Sequence, residues 1–409
     1  MDIPGLPARR AALNLLDAVL RRGETMEQAA SGALSRVRGD ADRGLAKAIA
    51  SEALRWRVDL DALIDSATRQ RLPEDAKPRA VLEIMLAQAL RLETPPHAAI
   101  ATGLPLLTGG PRRLAHGVFS TLMKQGATLP PVPTLPDKVR ERWGQRADAI
   151  AAGVALPPPL DLSLRDPAAT TEWTERLGGI SLAPGHVRLP RGTPVEALDG
   201  FREGAWWVQD LAATLPARLL GPGEGRRVLD LCAAPGGKTL QLAAAGWEVT
   251  ALDISKRRME RLADNLERTG LYARVVIADA LNWVPEAPFD AVLLDAPCTA
   301  TGTCRRHPDV LHRIGERQIE EMTQLQARLL ARACDWLSAG GSLVYAVCSL
   351  ERAEGEEQAR KVPLAPNPIR ADELPLGLSP ENGSLRTDPG QLGEQGGLDG
   401  FFIARWSHS

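Results

Sequence analysis

The chain has 409 residues, of which 44% are hydrophobic, so it is long enough for two or three domains and apolar enough to give each a buried core. This composition excludes a disordered chain and a small scaffold held together by disulfides. The formal net charge of −2 gives no whole-chain indication of nucleic-acid binding, but the charge is distributed unevenly.

The N-terminal region, residues 1–128, predicts a compact all-α bundle. Apolar side chains recur with helical spacing at Leu15, Leu16 and Val19, and Gly23 ends the pattern. The following segments are short, amphipathic and broken by Gly or Pro, without the alternation typical of strands. Further helices are predicted over 24–38, 41–56, 58–70, 76–92, 95–107 and 111–125.

The same region carries the basic excess. Residues 1–125 contain 18 Lys and Arg against 14 Asp and Glu, a balance of +4, so the remainder of the chain carries −6. Of the 49 basic residues 42 are arginines, whose planar guanidinium suits phosphate oxygens. A genome rich in Ala and Arg codons explains the same bias, and we favour that explanation because surface charge alone rarely identifies a partner.

Proline-rich stretches follow the predicted bundle. They lie at 129–136 and 156–160 and flank a short helical piece around Trp143, which predicts a semi-rigid linker over 129–159. From 160 to 220 short apolar stretches alternate with one helical segment, TTEWTERLG. This pattern predicts a small α+β subdomain.

The C-terminal region, 221–409, alternates strands with helices. This spacing predicts a doubly wound parallel sheet with helices on both faces, in which ligands lie beyond the carboxyl ends of the strands. The Pro- and Gly-rich segment 362–399 has no periodicity and is either an ordered connection or partly mobile. The predicted strands are 226–232, 248–254, 273–280, 289–296 and 342–349, with FFIARW as the final strand.

Glycine and acidic residues stand where the first strands end. Gly236 and Gly237 allow a tight turn that approaches a ligand closely, although the turn is neither G-x-G-x-x-G nor a P-loop. Asp253 follows the glycines by 17 residues, where a carboxylate can accept both ribose hydroxyls, and Asp279 and Asp295 end the next strands. A single such Asp is equally well explained as a helix N-cap. Three in succession favour an adenosine ligand without a pyrophosphate.

Two of the five cysteines follow neighbouring predicted strands. Cys298 comes after Asp295-Ala-Pro and Cys348 after Ala-Val, so a parallel sheet brings both thiols to one rim. A lone cysteine at such a place is usually a small buried hydrophobe, but a pair at one edge favours chemistry. The turn cysteine Cys232, and Cys304 and Cys334, are interpreted as structural.

The sequence predicts a soluble, cytoplasmic protein without a membrane segment or a metal site. Residues 1–25 contain no sustained apolar stretch, and no later run approaches the roughly 18 apolar residues that a membrane helix needs. The cysteines form no C-x-x-C pair, so neither a disulfide framework nor a structural zinc is expected.

Several motifs together resemble one family. DLCAAPGGKT, DIS, DAPCTATGTCRRHPD, a strand-end CS followed by the acidic ERAEGEE, and DGFFIARW are similar to motifs of the RNA cytosine-5 methyltransferases of the 16S rRNA type, the RsmB or Sun family. The resemblance implies a NusB-like helical domain over 1–128, an RRM-like subdomain over 160–220 and a Rossmann-like class I methyltransferase domain over 221–409. It also implies S-adenosylmethionine as cofactor, and a monomer that acts on 16S rRNA before the subunit is fully assembled.

The chemistry of cytosine, together with the resemblance, predicts roles for individual residues. Carbon 5 is a poor nucleophile, so a thiolate must first add to carbon 6, and Cys348 is the predicted nucleophile. The resemblance implies that Cys298 helps to release the product, while Asp295 can bind the base edge. Two roles are open for Lys238. In the functional one it lowers the pKa of a thiol or orients Asp295, and in the structural one it caps loop carbonyls. The predicted cofactor-binding residues are Cys232, Ala233, Ala234, Pro235, Gly236, Gly237, Lys238, Asp253, Asp279 and Asp295.

Three further features carry expectations. Val347 stands where the family usually has Thr before Cys-Ser, which removes a hydrogen bond with little change of shape. The basic loop over 299–313 is expected to contact phosphates beside an extruded base, rather than to be a solvated loop. The pair Trp206 and Trp207 either stacks on a base or packs between domains.

Two other functions remain open from the sequence. Asp-Ala-Pro-Cys is related in pattern to the Asp-Pro-Pro-Tyr loop of amino methyltransferases, although an exocyclic amine needs no covalent thiol. A non-catalytic RNA-binding factor with a vestigial methyltransferase fold is the third hypothesis. The intact cysteine pair, glycine turn and three aspartates argue against it.

Overall fold

The computed structural model describes residues 3–408. Its helices are α1 (Leu6–Arg22), α2 (Met26–Ala33), α3 (Asp40–Arg55), α4 (Arg57–Ser66), α5 (Lys77–Arg91), α6 (Pro96–Gly103), α7 (Gly109–Lys124), α8 (Asp137–Trp143), α9 (Ala147–Val154), α10 (Thr170–Leu177), α11 (Leu211–Arg218), α12 (Gly237–Ala244), α13 (Lys256–Thr269), α14 (Val310–Arg313), α15 (Glu316–Asp335) and α16 (Glu356–Ala359). Its strands are β1 (Leu160–Leu164), β2 (His186–Leu189), β3 (Trp206–Val208), β4 (Arg227–Leu231), β5 (Glu248–Asp253), β6 (Arg274–Ile277), β7 (Phe289–Asp295), β8 (Leu337–Val347), β9 (Ala365–Pro366), β10 (Leu385–Arg386) and β11 (Phe402–Ser407). None of the helices within the described residues is long and apolar enough to cross a membrane.

The chain divides into two compact units, of which the first is helical and runs to Ala155. Helices α1 and α3 to α7 form its core around buried Leu15, Leu54 and Phe119, in agreement with the predicted bundle. Gly23 ends α1 with φ of 69°, the left-handed conformation that favours glycine at a helix C-terminus.

Residues 129–155 of the predicted linker belong to this first unit. It contains α8 and α9, whose Val139 and Ile150 are buried. Before α8, the Thr134 backbone N–H and hydroxyl both donate to the Asp59 carboxylate. Proline content alone therefore misses a segment that is folded onto the helical unit.

A distant piece of chain, Cys304–Ile314, also belongs to the first unit. Its helix α14 places His312, whose Nε2 donates to the Leu54 carbonyl at 2.7 Å. Arg55 in turn donates to the Arg305 carbonyl at 2.9 Å. Burial lowers the pKa of His312 to about 4, so the ring is neutral where it completes this packing.

The second unit begins with a small sheet in the order β2-β1-β3, antiparallel throughout, with α10 beside it. Trp206 and Trp207 on β3 are buried, and their ring N–H groups donate to the Asp199 carbonyl and the Gln209 side chain. Both rings are therefore core residues. The alternative in which they stack on a base is wrong, because neither ring face is available.

The large sheet has the strand order β10-β11-β8-β7-β4-β5-β6. Strands β4 to β8 are parallel, as predicted, while β11 pairs antiparallel with β8 and makes the sheet mixed. Apolar side chains of α11, α12 and α13 cover one face, and those of α15 cover the other. The segment 362–399 contains β9 and β10 and contributes buried Ile369 and Leu398 to the core.

Candidate active site

The glycine turn joins β4 to α12 at the carboxyl edge of the large sheet. Cys232 has φ of 66°, a conformation uncommon for a residue with a side chain, and Gly236 has φ of 109°. A Cβ at Gly236 would lie 2.8 Å from Cγ of Leu262 on α13, so glycine is required there for the helix to pack. The backbone of the turn is thus held close to the ends of β4 and β5.

A cleft lies beside this turn and is lined by both polar and apolar side chains. Asp253 ends β5 and Asp279 follows β6, and both contribute to the cleft with Cys232. The apolar lining is Leu252, Ile254, Ala278, Ala280, Leu281, Pro297, Leu325 and Leu329. Two carboxylates beside an apolar slot fit an adenosyl group, because ribose hydroxyls can donate to one carboxylate while the adenine ring packs on aliphatic side chains.

The two carboxylates of the cleft are held by local hydrogen bonds. Asp253 accepts from the Ser255 N–H at 2.8 Å and from Arg258, whose guanidinium is half-exposed. Asp279 accepts from the Leu281 N–H at 2.9 Å and from the Asn282 amide at 2.7 Å. Asp279 therefore has the turn-capping geometry expected of an Asp after a strand, while its side chain still lines the cleft.

The two cysteine thiols lie together at the ends of β7 and β8. The sulfur atoms of Cys298 and Cys348 are 3.4 Å apart, and both side chains are partly exposed. The hydrogen bond to Cys348, with burial adding to it, raises the pKa of Cys298 well above its ordinary value. Cys298 therefore holds its proton. Cys232 is also partly exposed, and burial raises its pKa.

Asp295, which ends β7, forms an ion pair with Lys238 at 2.6 Å. Burial alone would lower the pKa of Lys238, but the charge of Asp295 and its hydrogen bond outweigh burial and raise it. Lys238 also lies over the ring of Phe401, with Nζ 5.4 Å from the centroid. This geometry favours the prediction that Lys238 orients Asp295 over the one in which it caps loop carbonyls.

Behind this pair, Asp230 on β4 is fully buried. Burial raises its pKa to about 7, and it accepts a hydrogen bond from the hydroxyl of Thr239 on α12. The bond links the strand before the glycine turn to the helix after it. Asp230 thus supports the turn from within the sheet.

Only some of the basic side chains in the loop 299–313 are exposed, as contact with phosphates requires. Arg305 is 1% exposed and belongs to the packed segment of the first unit, so the predicted phosphate contact by this residue is wrong. Arg313 is paired with Asp309 at 2.9 Å. Arg306 is half-buried and His307 exposed, and their proposed contact with RNA stays a prediction. The charge pattern could not reveal that Arg305 is buried.

Sequence reasoning missed three buried polar residues that surround the thiols. They are Gln326 on α15, Glu354 before α16 and Arg386 on β10, each 4% exposed or less. Arg386 donates to the Ser349 carbonyl, one residue after Cys348. The acidic ERAEGEE stretch was the one available signal, but nothing in it distinguishes buried Glu354 from exposed Glu357.

The sheet, the glycine turn and the cleft define an S-adenosylmethionine-dependent methyltransferase of Rossmann-like fold. Two solved structures share this fold. PH0851 matches with a TM-score of 0.72 and 23% identity over 99% of each chain. NSun6 from Pyrococcus horikoshii with SFG matches with a TM-score of 0.56 and 20% sequence identity, and the match covers 66% of this chain and 98% of that one.

Family models and relatives identify the family. The model for 16S rRNA methyltransferase RsmB/F matches residues 217–407, and the NusB family model matches 6–106. Ribosomal RNA small subunit methyltransferase B of Xylella fastidiosa (strain Temecula1) is 36% identical over 98% of both chains. The enzyme of the same name from Klebsiella pneumoniae (strain 342) is 33% identical over 97% of both. The chain belongs to the RsmB/F family of ribosomal RNA methyltransferases, which confirms the predicted resemblance, fold class and enzyme class.

Proposed function

We propose that this protein transfers the methyl group of S-adenosylmethionine to C5 of a cytosine in 16S rRNA through a covalent intermediate on Cys348. The observation that carries the proposal is the 3.4 Å separation of the Cys298 and Cys348 sulfur atoms at the edge of the sheet that also forms the cofactor cleft. An amino methyltransferase has no use for such a pair. The names of the relatives support the small-subunit RNA as substrate.

The assignment of the two thiols follows from their electrostatics. The raised pKa of Cys298 favours its protonated form, so in this proposal Cys298 is the donor and the Cys348 sulfur the acceptor of the bond between them. The ammonium of Lys238 interacts electrostatically with Cys348. Cys348 therefore adds to carbon 6 of the base, and electron density rises at carbon 5.

The remaining steps involve the groups around the thiols. When bound, the cofactor supplies an electrophilic methyl group to the activated carbon 5. Solvent water accepts the proton on carbon 5, the electron pair of that C–H bond restores the ring double bond, and the Cys348 sulfur leaves carbon 6 as a thiolate. Cys298 assists this release by donating a hydrogen bond to the departing sulfur. Asp295, oriented by Lys238, hydrogen-bonds the N3 and N4 edge of the base and stabilises protonation at N3.

Residues of the turn and the cleft hold the cofactor in this proposal. The glycine turn would approach the cofactor with its backbone and side chains, and Asp295 would lie near the methyl group. The residues of the turn are Cys232, Ala233, Ala234, Pro235, Gly236, Gly237 and Lys238. Asp253 takes the ribose hydroxyls, and Asp279 takes the adenine edge. The cleft lining around these two carboxylates supports the arrangement.

The ribose contact can be tested directly. Asp253→Ala is expected to weaken S-adenosylmethionine binding by about 1.5–3 kcal/mol, because a charge-assisted pair of hydrogen bonds is lost. Isothermal calorimetry measures the change, with thermal unfolding to verify that β5 and α13 remain packed. Asp264→Ala, an exposed change on α13, is the control. An unchanged affinity in the Asp253 variant would place the ribose contact elsewhere.

We propose further that the substrate is 16S rRNA not yet in a fully assembled subunit, and that the enzyme acts as a monomer in the cytoplasm. The target base must leave its stack to reach thiols at the sheet edge, and it does so at lower cost where the RNA is not yet packed. The predicted mode of action thus favours accessible, incompletely folded RNA.

Methylation of purified 16S transcript tests the function. We expect the protein and S-adenosylmethionine to form 5-methylcytosine, identified by nucleoside mass spectrometry and located by bisulfite sequencing. A 23S transcript of similar length and 16S rRNA in assembled subunits serve as matched substrates, and both are expected to be poor ones. Formation of N4-methylcytosine instead, or no methylated base at all, contradicts the proposal.

A further inference from the structure

A buried carboxylate lies behind the two thiols. Glu354 has no exposed surface, and its side chain accepts four hydrogen bonds. One oxygen accepts from the Thr299 backbone N–H at 2.9 Å and from the Gln326 amide at 3.0 Å. The other accepts from the hydroxyls of Thr299 and Ser349. The carboxylate is therefore bonded on both of its oxygens.

Its partners are the immediate neighbours of the thiols in the chain. Thr299 follows Cys298, and Ser349 follows Cys348, so the carboxylate of Glu354 connects the two segments that carry the sulfur atoms. Gln326 also donates to the Pro297 carbonyl at 2.9 Å, on the other side of Cys298. The Cys298 backbone is thus held both before and after the thiol.

Glu354 is itself anchored to the strand that delivers the second thiol. Its backbone carbonyl accepts from the hydroxyl of Tyr345, a fully buried residue on β8. An ionised carboxylate is costly to bury unless hydrogen bonds satisfy its oxygens, and here four donors do so. Such an arrangement is expected where a fixed geometry is required rather than where apolar packing would suffice.

We propose that Glu354 is a positioning residue that sets the separation of the Cys298 and Cys348 sulfur atoms by binding the residue that follows each. The inference rests on the proposed function in that it takes both thiols to act on one base. The charge of Glu354 contributes, after the Cys348 hydrogen bond and burial, to the raised pKa of Cys298. The same carboxylate thus favours the protonated state of Cys298 and fixes its place.

The spacing of the thiols can be measured without RNA or cofactor. Phenylarsine oxide bridges two neighbouring thiols through a single arsenic atom, and its affinity falls when they move apart. We expect Glu354→Gln, which keeps the shape and most hydrogen bonds, to bind the arsenical within about threefold of the unsubstituted protein. Glu354→Ala removes all four acceptor contacts and is expected to bind at least about tenfold more weakly.

Controls separate this effect from unfolding and from loss of charge. Glu357→Gln alters an exposed glutamate of the same stretch and is expected to change nothing. Cys298→Ala and Cys348→Ala should each abolish bridging. If Glu354→Ala fails to fold, Ser349→Ala removes one of the four donors to Glu354, together with the hydrogen bond that its hydroxyl accepts from the Glu351 N–H, and is expected to weaken bridging by about fivefold. Thermal unfolding identifies the folded variants.

Catalysis supplies the second readout. The Glu354→Ala variant is expected to show a lower kcat with an unchanged KM for S-adenosylmethionine, while Glu354→Gln recovers most of kcat. Unchanged arsenical affinity in folded Glu354→Ala, or in Ser349→Ala if that variant alone folds, overturns the inference. If the arsenical pattern holds but the unsubstituted protein forms no 5-methylcytosine, the proposed function fails and the positioning role stands.

Discussion

Cys348→Ala is expected to lower the rate of methyl transfer by roughly 10⁴-fold or more, the scale seen when a catalytic nucleophile is removed. Without addition at carbon 6, carbon 5 of cytosine stays too electron-poor to take up the methyl group. Affinity for S-adenosylmethionine should stay within about twofold, because Cys348 is not among the residues that line the cleft around Asp253 and Asp279. Methyl transfer from labelled cofactor and calorimetry measure the two quantities.

The matched control for this change is Cys334→Ala. Cys334 is a partly buried thiol on α15 that lies outside the pair, and burial raises its pKa to about 11. Its replacement should leave the rate unchanged. Substantial turnover by the Cys348 variant would contradict the covalent mechanism, whatever the Cys334 variant does.

Cys298→Ala is expected to accumulate a covalent complex between enzyme and RNA. Cys348 can still attack and the methyl group can still be transferred, but release of the product is slowed because the partner thiol is missing. The complex should survive denaturation and migrate as protein joined to RNA on a denaturing gel, with turnover lowered by about 10²-fold or more.

The double variant Cys298→Ala with Cys348→Ala tests the origin of that complex. It should form none, because the attacking sulfur is absent. Full turnover by the single Cys298 variant together with no adduct would remove the proposed division of labour. An adduct that persists in the double variant would place the bond on another residue.

The sequence pattern predicted the parallel strands and the residues at their ends well, because both depend on short-range order. Apolar runs defined β4, β5 and β7, and a parallel sheet places the carboxyl ends of its strands at one edge. The meeting of Cys298 with Cys348 followed from that geometry. The antiparallel direction of β11 did not, since an apolar run specifies a strand and not its direction.

The support around the thiols could not be predicted from the sequence. Glu354 contacts residues 55 and 28 positions away, Thr299 and Gln326, and such pairs are created by tertiary packing. Polar residues in an acidic stretch are exposed by default, so burial of one carboxylate has no local signature. Arg305 is a second example. Its charge suggested an exposed contact with phosphate, but it is buried in the packed segment Cys304–Ile314.

The discontinuity of the helical unit bears on how the polypeptide matures. Nearly 150 residues separate Ala155 from Cys304 in the chain. Nevertheless, His312 is hydrogen-bonded to the Leu54 carbonyl, and Arg55 donates to the Arg305 carbonyl. During synthesis on the ribosome, these contacts can form only after residues 304–314 have been added to the polypeptide. A fragment cut at Ala155 would lack these contacts, so the helical unit is completed only after residues 304–314 have been synthesised.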